Sequence, residues 1–218
     1  MPQHAYAAYA GIQWQDFTPQ HRRAREQALA IACGDHAVPT GAIVGVYGSG
    51  KSTLLFEVLT RAVAESLLPV WEEASSFLER LVRPDERTSP QEFAARVHEW
   101  IKQLRTDSAS FASYQKDLER RQLGAVAGIV EAALRHPTER TVLLLDEMEQ
   151  AYPHFQKRID AADHQPLRAL IDSCGNSKVR LLMAYAPESF HSLGEAGMSR
   201  PLLRIVAAAA IEDLRPRP

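Results

Sequence analysis

Apolar residues along this chain of 218 residues fall into two patterns, short continuous runs and longer stretches with helical spacing. Continuous runs rich in valine, isoleucine and leucine are typical of strands that are buried on both faces of a parallel sheet. Five such runs predict strands, at residues 42–44, 67–71, 141–147, 179–185 and 204–208. Because Pro69 has no backbone N–H for a ladder, we expect the second strand to be short or to lie at a sheet edge.

The stretches with helical spacing lie between these runs, and several begin with a recognisable start signal. Thr18 precedes Pro19 as an N-cap precedes a proline in the first turn, and Ser89 to Glu92 has the form of a capping box. Helices are predicted at residues 19–34, 51–66, 90–104, 118–134 and 165–174. We expect the helices that follow the second strand to pack together on one face of the sheet.

Strands that alternate with long helical connections predict a parallel sheet with right-handed crossovers. The expected fold is therefore α/β, with three layers: a mostly parallel central sheet and helices on both faces. We expect one domain over residues 1–218, with a helical lead-in at 1–40 and a helical insertion at 73–137 between the second strand and the acidic strand.

Directly after the first strand, residues 45–53 read GVYGSGKST and match the phosphate-binding motif GxxxxGK[ST]. In this motif a glycine-rich turn and the start of the next helix present backbone N–H groups to phosphate oxygens. The nucleotide is expected to contact Gly45, Gly48, Ser49, Gly50, Lys51, Ser52 and Thr53, although Thr53 could simply line the helix. The Lys51 ammonium is expected to reach the β and γ phosphates, and the Ser52 hydroxyl to ligate Mg²⁺. The sequence therefore predicts a P-loop NTPase that binds ATP.

The run TVLLLDE at residues 141–147 ends in two carboxylates, as a Walker B strand does. In that interpretation Asp146 holds the Mg²⁺ ion, and Glu147 orients and deprotonates the attacking water. The alternative is an ordinary solvated strand end, which the phosphate-binding motif upstream makes less attractive. Glu149 fits either a role at the site or a favourable charge at a helix start.

Composition narrows the class of protein without pointing to a partner. A hydrophobic content of 45% supports a sizeable core, and a formal net charge of −2 gives no overall attraction to nucleic acid or anionic lipid. Arginines 22, 23, 25, 120 and 121 are expected on solvated helix faces. The two cysteines, Cys33 and Cys174, have no metal-ligand spacing and indicate no disulfide framework. With no apolar stretch of membrane-spanning length and no signal-like N-terminus, we expect a cytoplasmic protein without a membrane partner.

The order of these motifs resembles that of AAA+ and related additional-strand P-loop ATPases. Locally, GVYGSGKSTLL, LLLLDEMEQ and RLLMAYAPESF are most similar to initiator-like ATPases of the origin-recognition type and to ATP-binding proteins of BREX-type phage-defence systems. The resemblance implies ATP and Mg²⁺ as ligands, and assembly with further copies or with a partner protein. It also implies a DNA-linked process such as phage defence, although the charge of the chain does not support binding to DNA.

Three features depart from the AAA+ pattern or complete it. No Asn or Thr sensor stands at the end of the fourth strand, where Tyr185 is expected to be a core aromatic residue instead. The resemblance implies an arginine that acts on a neighbouring subunit, for which Arg200 and Arg204 are the candidates, with surface arginines as an equal alternative. A C-terminal helical lid is expected to be absent from this chain, which ends at Pro218.

We therefore expect an ATP-binding and Mg²⁺-dependent ATP-hydrolysing module. One alternative is a nucleotide-dependent switch or scaffold with weak hydrolysis, which the missing sensor and the expected absence of the lid favour. Another is a small-molecule or nucleotide kinase, whose phosphoacceptor pocket would be built by the arginines of the insertion.

Overall fold

The computed structural model describes residues 19–34, 38–83, 87–135, 139–151, 165–175, 177–190 and 209–210. The strands are β1 (Thr40–Val44), β2 (Leu68–Glu73), β3 (Thr141–Asp146), β4 (Val179–Tyr185) and β5 (Ala209–Ala210). The helices are α1 (Pro19–Cys33), α2 (Lys51–Ala64), α3 (Ala74–Leu81), α4 (Pro90–Thr106), α5 (Ser108–Arg120), α6 (Gly124–Leu134) and α7 (Gln165–Gly175). Thr18 and the strand predicted at 204–208 lie outside the described residues.

The five strands form one sheet in the order β2-β3-β4-β1-β5, and every paired neighbour is parallel. Strand β4 therefore lies between the strand that leads into the phosphate-binding motif and the strand that ends in the acidic pair. Strand β2 pairs with β3 alone among the described strands, which confirms that the strand carrying Pro69 lies at an edge.

Helices cover both faces of this sheet, as the sequence predicts. On one face α2 packs against α1, β2 and β3, and on the other α7 packs against β4 and β1. The crossovers run in opposite directions along the sheet, so right-handed connections place α2 and α7 on opposite faces. Residues 142–145 of β3 are completely buried between these layers, and each of these side chains contributes about 1.5–3 kcal/mol to the hydrophobic driving force.

The helices between β2 and β3 wrap around the sheet edge, so the prediction that they share one face is wrong. Helix α4 packs against α7, whereas α6 packs against α2 and β2 on the opposite face. Helix α5 contacts both α4 and α6. Its Tyr114 hydroxyl donates to the Trp71 carbonyl at 2.8 Å and accepts from the Trp71 N–H at 3.2 Å. The insertion thereby satisfies backbone groups that an edge strand would otherwise expose.

The capping box predicted before α4 is confirmed. The Ser89 hydroxyl accepts from Glu92 N at 3.2 Å, and the Glu92 carboxylate accepts from Ser89 N at 2.9 Å. Helix α1 also ends as predicted, because Gly34 adopts a φ of 85° directly after Cys33.

The single helix predicted at 118–134 is in fact the end of α5 and all of α6. Gln122, between them, adopts a φ of 62°, which is uncommon for a residue with a side chain. Leu123 is 4% exposed and donates its N–H to the Leu118 carbonyl at 2.8 Å. Burial of Leu123 thus stabilises a break that helical periodicity does not reveal. Within the described residues, no helix combines the length and the apolar character needed to cross a membrane.

Candidate functional site

The carboxyl ends of β1, β3 and β4 bring the predicted site residues to one edge of the sheet. Val44 is in register with Tyr185, and Leu145 with Met183. Just beyond this register, Gly45 N donates to the Tyr185 carbonyl at 3.1 Å. The phosphate-binding motif therefore starts beside the end of β4, and the acidic pair follows on the other side of β4.

The loop at residues 45–50 forms a turn that only glycine adopts readily. Gly48 and Gly50 have φ values of 79° and 86°, in the left-handed region where a side chain causes strain. A Cβ placed on Gly48 would meet nothing within 4 Å, so the space beside this residue is open. Gly50 is the N-cap of α2, and no side chain caps this helix. Its first N–H groups are thus suited to an anionic ligand.

Lys51 lies inside this loop rather than at the surface, with 9% exposure. Its ammonium donates to the Gly45 carbonyl at 2.8 Å and to the Val46 carbonyl at 3.3 Å. Neutral carbonyl oxygens compensate a buried ammonium only in part, because anionic acceptors bind it more strongly. A phosphate oxygen in the loop would supply such a partner.

Asp146 is 1% exposed and has one carboxylate oxygen without a partner. Its Oδ1 accepts from Glu147 N at 2.9 Å, whereas Oδ2 accepts no hydrogen bond. Burial raises the pKa of Asp146 above its usual value, and the nearby Ser52 hydroxyl, the Glu147 N–H and the Lys51 charge oppose the rise. The buried hydroxyl of Ser49 in the loop also lacks a partner. Buried polar atoms without partners are costly, so two of them near one loop favour a site for a polar ligand.

These side chains fit a magnesium ion. A hydroxyl from Ser52 and a carboxylate oxygen of Asp146 are the oxygen ligands that Mg²⁺ uses, together with phosphate oxygens and water. Across the described residues, no group of three or more His, Cys, Asp or Glu side chains could hold a metal ion. The ion would therefore depend on the nucleotide for much of its coordination.

Glu147, the predicted base, follows Asp146 in an unusual backbone conformation, with a φ of 53°. Its Oε2 accepts a hydrogen bond from Gln150 Nε2 at 2.6 Å, within the helical turn at 148–151. Non-glycine residues in the left-handed region are sparse and concentrate at functional sites.

Glu149 forms a contact that the sequence did not assign. Its Oε2 accepts from the Ala186 N–H at 3.1 Å, immediately after β4. In the sequence, its position three residues after Asp146 was the one signal of a role at the site. A favourable charge at the start of a helix is equally common at such a position.

Of the remaining candidate site residues, two lie beside the site and two lie outside the described residues. Tyr185 is 2% exposed, and its hydroxyl donates to Met183 Sδ at 3.4 Å, as expected for a core aromatic residue. Thr53 is half-buried on α2. Arg200 and Arg204 lie outside the described residues.

A second cluster of charges lies at the end of β2, where two arginines of the insertion meet one buried and two half-buried acids. Arg80 and Arg121 bind the two oxygens of Glu72 at 2.8 Å and 2.9 Å. Arg121 also pairs with Glu73 at 2.9 Å, and Arg80 with Asp117 at 3.1 Å. The expectation that Arg121 lies on a solvated helix face is therefore wrong, whereas Arg120 is 68% exposed.

The fold and the site together define a P-loop NTPase. A phosphate-binding loop follows β1, an acidic strand β3 lies two positions away, and β4 separates them. Residues 20–183 match the AAA ATPase domain family, and the chain belongs to that family. A search of curated proteins gives no match.

Proposed function

We propose that this protein binds Mg·ATP at the loop 45–53 and hydrolyses it. The observation that carries the proposal is the junction of Lys51, Ser52 and Asp146, where the charge of a buried ammonium acts on a buried carboxylate whose Oδ2 accepts no hydrogen bond. Membership of the AAA ATPase domain family supports the same activity.

Each residue has a distinct part in this proposal. The backbone N–H groups at the start of α2 bind phosphate oxygens, and the Lys51 ammonium leaves the Gly45 and Val46 carbonyls to pair with the β and γ phosphates. Ser52 and Asp146 would hold Mg²⁺, which when bound neutralises charge on the phosphates. Glu147 orients water and accepts its proton once Gln150 releases the carboxylate.

The experiment is steady-state phosphate release with Mg·ATP, in which Glu147→Gln is compared with the native chain. Loss of the base is expected to lower kcat by about a hundredfold to ten-thousandfold while nucleotide affinity stays the same. Equal turnover in Glu147→Gln would refute the proposed base. Lys51→Ala is expected to weaken Mg·ATP binding and to lose turnover.

A switch with weak hydrolysis is the second candidate, and the end of β4 favours it. Tyr185 directs its hydroxyl to Met183, and Ala186 follows it, so neither supplies the polar sensor of the AAA+ pattern. Tight Mg·ATP binding with turnover no higher than that of Glu147→Gln would support the switch. For the kinase alternative, Arg80 and Arg121 offer little support, because both are paired with Glu72.

A role in a DNA-linked process such as phage defence rests on the resemblance of three motifs to initiator-like and BREX-type ATPases. The same resemblance supports Arg200 or Arg204 as a residue that acts on a neighbouring subunit. Phosphate release that rises per subunit with protein concentration, and further with added DNA, would support both ideas. Arg200→Ala and Arg204→Ala would then separate the two arginines by their ability to complement Glu147→Gln in mixtures.

A further inference from the structure

We propose that Glu149 is a positioning residue that anchors the carboxyl end of β4 between the phosphate-binding loop and the acidic pair. The proposal rests on the proposed ATPase function and adds to it a residue that acts through the backbone of Tyr185 and Ala186.

The pairing of β3 with β4 ends before Ala186, the residue that Glu149 contacts. The register of β3 with β4 ends at Leu145 and Met183, whereas the backbone of β4 continues to Tyr185. The carboxylate of Glu149 then accepts from Ala186 N at 3.1 Å, across 37 positions of sequence. Beyond the strand pairing, the Glu149 side chain thus makes the next hydrogen bond between the acidic segment and the end of β4.

On the other side of β4, the backbone at Tyr185 is hydrogen-bonded to the phosphate-binding loop. The Tyr185 carbonyl accepts from Gly45 N at 3.1 Å, at the first residue of the loop. One short segment of backbone is therefore bonded to the loop through Tyr185 and to the acidic segment through Ala186. Displacement of this segment would move Gly45 relative to Asp146.

The anchor explains how the end of β4 is fixed without a polar sensor side chain. The ring of Tyr185 is buried and packs edge-on against Phe190 at 5.9 Å between centroids. The helical turn at 187–190 begins directly after Ala186, and Phe190 N donates to the Ala186 carbonyl at 3.0 Å. The N–H and the carbonyl of Ala186 are thus both hydrogen-bonded, the N–H to Glu149 and the carbonyl to Phe190 N–H.

Two variants separate anchoring from a chemical role of the carboxylate. Glu149→Gln retains a carbonyl oxygen that can accept from Ala186 N–H, whereas Glu149→Ala removes the acceptor. Glu131→Ala serves as the control, because Glu131 is an exposed partner of Arg135 near the end of α6, which leads to the amino end of β3, opposite the end that carries the site. Hydrogen exchange of the Ala186 and Gly45 amides is measured in each, with and without Mg·ATP, alongside kcat and KM.

An anchor predicts that Glu149→Ala accelerates exchange at Ala186 by about tenfold, since one charge-assisted hydrogen bond is lost. Its kcat falls by about tenfold to a hundredfold with a smaller change in KM, because the reacting groups are misplaced. Glu149→Gln restores most of both properties, and Glu131→Ala resembles the native chain.

Unchanged exchange at Ala186 in Glu149→Ala would overturn the anchor. A Glu149→Gln variant that protects Ala186 but is as inactive as Glu149→Ala would also overturn it, in favour of a chemical role. If the native chain shows no turnover, the proposed hydrolysis fails. The anchor is then decided by exchange at Ala186 and Gly45 alone.

Discussion

Two buried carboxylates lie near the carboxyl ends of neighbouring strands of this sheet, and their partners differ. Glu72, in β2, is 0% exposed and has a guanidinium on each oxygen, whereas Asp146, in β3, is 1% exposed and has one oxygen without a partner. Burial raises the pKa of both. At Glu72 the charges of Arg80 and Arg121 oppose that rise, and at Asp146 the Ser52 hydroxyl, the Glu147 N–H and the Lys51 charge oppose it. A satisfied buried charge maintains a fold, while an unsatisfied one is suited to a ligand.

The largest expected effect on stability comes from removing the charge of Glu72. Glu72→Gln leaves Arg80 and Arg121, both mostly buried, without their shared carboxylate, and is expected to lower the free energy of unfolding by about 3 kcal/mol. Chemical denaturation measures the change. Glu79→Gln is the matched control, because Glu79 is exposed on the same helix as Arg80. A loss no larger than that of the control would remove the distinction between the two carboxylates.

Lys51→Ala is expected to act in the opposite way, with a large effect on binding and a small one on stability. The ammonium donates hydrogen bonds to loop carbonyls and interacts with Asp146 through its charge alone, so its loss should change the unfolding free energy by less than about 1 kcal/mol. Affinity for Mg·ATP should fall by roughly tenfold to a hundredfold, the contribution of a charge-assisted contact. Titration calorimetry gives this affinity, and equal binding would contradict the phosphate role of Lys51.

Asp146→Asn is expected to stabilise the protein in the absence of nucleotide. It removes a buried negative charge but keeps an oxygen that can accept from Glu147 N, so the unfolding free energy should rise by about 1 kcal/mol at neutral pH. Denaturation without Mg²⁺ or ATP measures it. Destabilisation comparable to that of Glu72→Gln would mean that Asp146 is a structural charge.

The stability advantage of Asp146→Asn should shrink as the pH is lowered. Because burial raises the pKa of Asp146, the folded native chain takes up this proton at a higher pH than the unfolded chain does. Its stability therefore gains from acidification through the raised pKa, a gain that the asparagine variant lacks. Paired denaturation curves from pH 7.5 downward test the sign. An advantage that grows toward acid pH would contradict a raised pKa.

The sequence was sufficient to predict features that depend on residues close together along the chain. Strand β4 was predicted with its observed bounds, because a continuous apolar run ends at the Ala186-Pro187 step. The capping box at Ser89 was predicted because both partners lie within four residues. Likewise, Lys51 and Asp146 were selected as candidates because their motifs are short and positioned next to strands.

Contacts between distant segments were not predictable in the same way. The Glu72 cluster joins β2, α3 and the end of α5, and the individual arginines resemble ordinary surface residues in the sequence. The break at Gln122 has no glycine or proline within it, and it depends on the burial of Leu123. The contact between Glu149 and Ala186 depends on the pairing of β3 with β4, which the sequence around either residue does not reveal.

The most direct test of the central claim is the stabilisation of the protein by Mg·ATP, compared with ATP in excess EDTA. The native chain should gain about 2.7 kcal/mol of unfolding free energy at a Mg·ATP concentration one hundred times Kd. Most of that gain should disappear with EDTA and in Asp146→Asn. Equal stabilisation under all three conditions would contradict the claim that the free oxygen of Asp146 serves a nucleotide-bound magnesium ion.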